Sequence, residues 1–79
     1  MTREETRSFL DREFREGFKK GGDFTVKVGD KWEIRCTRKV RLVDSVVDLY
    51  RGGEWFTRER LGRWKSYSGF LRVMTSIVD

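Results

Sequence analysis

Histidine is absent from this sequence, as are proline, asparagine, glutamine and alanine, and cysteine occurs once, at Cys36. Without His, imidazole-based acid, base and nucleophile-activating arrangements cannot be assembled, and with a lone Cys a zinc site of the usual nitrogen and sulfur type cannot form within one chain. A single Cys also excludes an intrachain disulfide, which fits a reducing, cytoplasmic setting better than secretion. No stretch approaches the roughly 20 apolar residues of a membrane span. The opening "MTREETRSFLDREFREGFKK" carries charges where a signal peptide needs an apolar run. No membrane contact is expected. The lack of Asn and Gln beside many charges resembles a heat-adapted composition, whereas the lack of Pro points the other way.

Charge is what the sequence has in quantity. The net charge is +5, with 39% of residues charged and both signs mixed. That balance leans toward a polyanionic or acidic partner, although mixed-charge surfaces are often only solvated. The 79 residues make one small α+β domain, near the size where a core just offsets chain entropy.

Thr2 followed by Glu5 has capping-box spacing and predicts a helix over residues 3 to 19. Leu10, Phe14 and Phe18, with Phe9 beside them, form its narrow apolar stripe, and "KKGG" supplies cations and a stop at its end. From residue 23 the period becomes two: Phe24, Val26 and Val28, then Trp32, Ile34 and Cys36. A loop of three residues, Gly29 to Lys31, places Val28 opposite Trp32 and matches the apolar faces. Residues 37 to 51 read either as a helix through Val40, Val43, Val47 and Tyr50, or as a continuing strand, a corner near Asp44 and Ser45, and a new strand from Val46. The Val content and the Gly52-Gly53 turn favour strands. A C-terminal helix follows, capped by Ser66 or Ser68, with Phe70, Met74 and Ile77 as its stripe. The expected order is helix, an antiparallel meander of about four strands, helix.

A two-residue turn at Gly52-Gly53 pairs Arg51 with Glu54, Tyr50 with Trp55, Leu49 with Phe56 and Val47 with Arg58. With both helices on one side, Leu49 and Phe56 are buried, and Tyr50 and Trp55 face outward with Asp48 and Thr57. If the second strand runs on with Val40 and Leu42 inward, Arg35, Lys39 and Arg41 form a basic row on the open side. Arg58, Arg60, Arg63 and Lys65 add a second cluster, offset by Glu59. Rings stack on bases while Arg and Lys neutralise phosphates, so this constellation would serve as a platform for RNA or single-stranded DNA. The bland alternatives are a structural Tyr/Trp pair, a homodimer contact and a wet charged face. Trp64 and Tyr67 are expected to anchor the last helix.

Other chemistry is set aside. Asp44 with Asp48, and Asp11 with Glu13 or Glu16, read as solvated charge, because a two-metal site needs a cleft that a chain this short hardly provides. Cys36 reads as a small core residue. No phosphate loop follows Gly21-Gly22 or Gly52-Gly53, "RGGEWFTRE" does not match the RNA-recognition signature, and one "RGG" makes no repeat. The expectation is a non-enzymatic module without cofactor or metal, acting on nucleic acid or on a protein complex that handles it. By analogy of size and composition alone, phages and mobile elements make such chains, including anti-CRISPR and other host-inhibitory proteins. The alternative is a protein-interaction or self-assembling module.

Overall fold

In the computed structural model, which describes residues 1–79, the capping box forms in both directions. The Thr2 hydroxyl accepts from the Glu5 N–H at 3.2 Å, and the Glu5 carboxylate accepts from the Thr2 N–H at 3.0 Å. The helix so started, α1, runs Arg3–Lys20 and stops at Gly21. Four strands follow: β1 Phe24–Val28, β2 Trp32–Thr37, β3 Val46–Arg51 and β4 Glu54–Arg60. They pair antiparallel in the order β1-β2-β3-β4, a meander, and α2 closes the chain over Tyr67–Val78 with Ser66 as its cap. The fold is α+β, as the change of hydrophobic period predicts. Val28 lies opposite Trp32, so the first hairpin has the expected three-residue loop.

Both helices lie on one face of the sheet. Leu10 and Phe14 of α1, Phe70, Leu71 and Met74 of α2, and the alternating Val26, Val28, Ile34, Cys36, Val47 and Leu49 form one buried cluster. Phe14 stands at its centre, with its ring centroid 5.2 Å from Phe70, 6.0 Å from Phe18 and 6.2 Å from Phe24. The helices run antiparallel, tied where the Tyr67 hydroxyl donates to the Asp11 carbonyl at 3.2 Å and Arg7 donates to the Ser68 hydroxyl at 3.0 Å. Trp64 and Tyr67 pack against the core and anchor α2, as expected. Burial pushes the Cys36 thiol up to about 11, as suits a core residue.

Two expectations fail, each for a local reason. β2 ends at Thr37, because the Arg38 N–H turns aside to the Asp23 carboxylate at 2.9 Å. The chain then makes a corner through a 3-10 turn at Leu42–Asp44. Lys39 and Arg41 are therefore not in a strand, Val40 is fully exposed at 101%, and Leu42 is exposed as well. Buried Ser45 is the hub of the corner: its hydroxyl accepts from the Lys39 N–H at 2.9 Å and its carbonyl from the Leu61 N–H at 3.0 Å. Leu61 opens a second 3-10 turn, Leu61–Arg63. The two turns touch so closely that a Cβ on Gly62 would stand 2.5 Å from the Val43 carbonyl oxygen.

The second failure lies in the β3–β4 hairpin. Gly52 and Gly53 have φ of 58° and 85°, as a primed two-residue turn requires, and Arg51 with Glu54 and Tyr50 with Trp55 pair as expected. Beyond them a β-bulge shifts the register. Leu49 pairs with Thr57, Asp48 with Arg58, Val47 with Glu59 and Val46 with Arg60. Phe56 is the extra residue. It is not buried against Leu49 but is 54% exposed, edge-on to Trp32 at a centroid distance of 5.3 Å.

Candidate nucleic-acid interface

Directly paired residues share a face, so the register fixes what the face opposite the helices presents. From β1 it is Thr25 and Lys27, from β2 Glu33 and Arg35, from β3 Val46, Asp48 and Tyr50, and from β4 Trp55, Arg58 and Arg60. Thr57, expected here, lies on the helix side opposite Leu49.

Asp48 organises the centre. It is only 8% exposed, yet its carboxylate accepts from Arg58 Nε at 2.8 Å, Arg58 Nη2 at 3.1 Å and Trp55 Nε1 at 3.1 Å. The hydrogen-bonded Arg58 guanidinium holds the Asp48 carboxyl below the usual carboxylate range despite the opposing effect of burial, and Trp55 adds to the shift. Asp48 is thus an internal anchor and not the solvated charge expected from its neighbourhood in sequence. The signal that could have found it is its strand parity beside Arg58, which only the bulge supplies.

Trp55 is 60% exposed, pinned at its indole N–H while the ring stays open to solvent. Tyr50 is half-buried because the Arg35 guanidinium lies over its ring at 4.1 Å, ion-paired in turn with Glu33. The outward aromatic surface is therefore the Trp55 ring and the Arg35 plane stacked on Tyr50. Hydrogen bonding to Glu33 raises the Arg35 pKa, and to Asp48 that of Arg58. Lys27, also exposed on this face, adds a cation that the sequence reading did not single out.

The remaining candidates separate. Arg58 and Arg60 meet Arg41 and Arg63 around an open groove of about 770 Å³ where β4 joins the two 3-10 turns. Lys39 sits in the corner loop, and Lys65 lines an apolar cleft on the helix side with Trp64, Tyr67 and Phe70. The structure brings together Arg35, Tyr50, Trp55, Arg58 and Arg60 on one face. Arg41 and Arg63 border that face, and Lys39 and Lys65 do not join it. The expected row of Arg35, Lys39 and Arg41 does not exist, because its strand stops at Thr37. No group of three or more acidic or thiol side chains is arranged to hold a metal ion, and no helix is long and apolar enough to cross a membrane. Comparison with protein-family models, with curated proteins and with solved structures gave no significant match.

Proposed function

We propose that this chain is a non-enzymatic binding module whose open sheet face takes up single-stranded nucleic acid in the cytoplasm. The observation that carries the reading is Trp55, an exposed ring fixed at one edge by a buried carboxylate and flanked by Arg58 on its own strand and Arg35 over Tyr50. A base can stack on the indole or on the guanidinium plane while neighbouring phosphates meet Lys27, Arg58 and Arg60. Prior fixing of Trp55 and Arg58 by Asp48 reduces the ordering cost of binding. The face carries four cations against Glu33 and Asp48, both of which already point at arginines. Occlusion of a protein complex that handles nucleic acid is the indirect form of the same function, with the face occupying a strand's place.

Fluorescence anisotropy of labelled single-stranded DNA, RNA and duplex DNA at two salt concentrations tests the reading. Single strands should bind more tightly than duplex, with affinity falling by about 0.7 powers of salt per phosphate neutralised. Absence of binding at low salt, or binding indifferent to salt, would sink it. A second reading, a protein or homodimer contact, is favoured by the exposed rings of Trp55 and Phe56, adjacent residues near the hairpin end of β4. Sedimentation velocity tests the homodimer form of that reading, since self-association makes the mass depend on protein concentration.

A further inference from the structure

The groove formed by Arg41, Arg58, Arg60 and Arg63 has more cationic donors than a strand passing across the face would use. We propose that it is a site for a terminal phosphomonoester, the phosphorylated end of a single strand lying along the open face. This inference rests on the open-face reading and specifies which end chemistry that face selects.

Three of the four guanidiniums are short of partners. Arg60 has no carboxylate within ion-pair distance, and Arg41 and Arg63 stand 3.6 and 3.7 Å from Asp44 and Glu59, beyond hydrogen-bonding range. Arg58 gives Nε and one side of Nη2 to Asp48, which fixes the plane and leaves its Nη1 hydrogens free. Glu59 does not satisfy its neighbours either: its Oε2 is buried with no hydrogen-bond donor. Four arginines against three carboxylates, Asp44, Asp48 and Glu59, leave the groove with one net positive charge. An internal phosphodiester offers two unbridged oxygens and a single charge. A terminal monoester offers three oxygens and nearly two charges at neutral pH, the better match to several guanidinium forks.

Position supports the same assignment. The groove lies at the end of the open face, bordered by both 3-10 turns, with Val43 and Gly62 in its lining and in contact with each other. Tyr50 and Trp55 lie toward the opposite, hairpin end of the face, and the Arg35 guanidinium reaches over Tyr50 from the middle row that holds Asp48 and Arg58. A strand whose bases stack on Trp55 and Arg35 reaches the groove with its terminus.

The experiment compares end-labelled oligonucleotides carrying a 5′-phosphate, a 3′-phosphate or neither, on the wild-type chain, on R60Q and on R60Q/R63Q. One phosphorylated end should bind about tenfold tighter than the unphosphorylated strand. That gain should shrink in R60Q, vanish in R60Q/R63Q, and fall as pH drops through about 6, where the phosphate takes up its second proton. Equal affinity of all three strands for the wild-type chain overturns the proposal, as does a gain that survives in R60Q/R63Q. Both side chains are exposed, so the variants should keep the wild-type circular dichroism and melting temperature. Arg60 also serves the open face, so R60Q should weaken the unphosphorylated strand too, and the groove is judged by the ratio of phosphorylated to unphosphorylated affinity within each variant. Should no strand bind, the open-face reading falls and inorganic phosphate alone judges the groove. A melting temperature raised by phosphate in the wild-type chain but not in R60Q/R63Q upholds it, and no rise overturns it.

Discussion

Asp48→Asn removes one charge from the centre of the open face and leaves the shape nearly unchanged. The carboxylate is largely buried and accepts three hydrogen bonds from two side chains. Hydrogen bonds to a charged group contribute roughly 1.5–3 kcal/mol when both partners are dry. Arg58 is 62% exposed, however, and solvent screens its share. The amide also keeps one acceptor, so the expected loss is about 1–2 kcal/mol at neutral pH. For a chain of this size that lowers the melting temperature by roughly 4–8 °C per kcal/mol. The pH dependence gives the sharper test. The Asp48 pKa is depressed in the folded chain, so its contribution is complete above the unfolded value of about 3.9 and is lost as pH falls through the lower folded value. Urea unfolding of the wild type and D48N at a series of pH values should give curves that differ at pH 7 and converge in acid. A double-mutant cycle with Arg58→Gln should show a coupling of about 1 kcal/mol. A difference of the same size at acid and neutral pH, or no coupling, would refute the assignment of Asp48 as the charged anchor of Arg58 and Trp55.

Trp55→Ala should lower the melting temperature by only a few degrees, through loss of the indole hydrogen bond to Asp48, while weakening single-strand binding by about tenfold or more in an anisotropy titration. Gly17→Ala should lower the melting temperature although alanine is favoured in helices by about 1 kcal/mol. Its Cβ would stand 2.4 Å from the Phe24 ring, which is itself packed on Phe14 and Phe18, and overpacking of that kind costs roughly 1–3 kcal/mol. Cys36, buried and with its thiol pushed up to about 11, should react with an aromatic disulfide reagent near pH 8 only as fast as the chain unfolds. A rapid burst of colour from the native protein would contradict that burial.

The regular part of the fold was legible because local signals agreed with one another. The Thr2 and Glu5 box, the four-residue spacing of Leu10, Phe14 and Phe18, and the match of Val28 to Trp32 each had one solution that also fitted the others. Two places had competing solutions. After Thr37 the apolar alternation of Val40 and Leu42 suggests a strand, but a hydrogen bond from the Arg38 N–H to Asp23, fifteen residues earlier, takes the chain elsewhere. In β4 the regular register offers an attractive Leu49 and Phe56 contact, yet it would also turn Arg58 and Arg60 toward the helices. Burying Phe56 is worth at most about 1.5–3 kcal/mol, whereas each unpaired buried arginine costs several. The bulge wins on that comparison, and the pairing of Asp48 with Arg58 follows from it. The aromatic half of the candidate site was therefore readable from the Gly-Gly turn. The basic half was readable in composition but not in arrangement, since Arg41 joins Arg58, Arg60 and Arg63 only through the touching 3-10 turns.

The bulge has a further bearing on how the molecule behaves among its own copies. β4 has a neighbour on one side only, and an uninterrupted edge strand is a template on which other chains can add. The unpaired Phe56 breaks that template between Trp55 and Thr57, while the charges of Arg58, Glu59 and Arg60 discourage pairing farther along. Deletion of Phe56 would straighten β4 without moving any other side chain to the opposite face: Trp55 would still pair with Tyr50 and Thr57 with Leu49. Such a chain would keep its fold and its outward arginines and become prone to edge-to-edge association, so colloidal behaviour here depends on one residue that contributes little to the core.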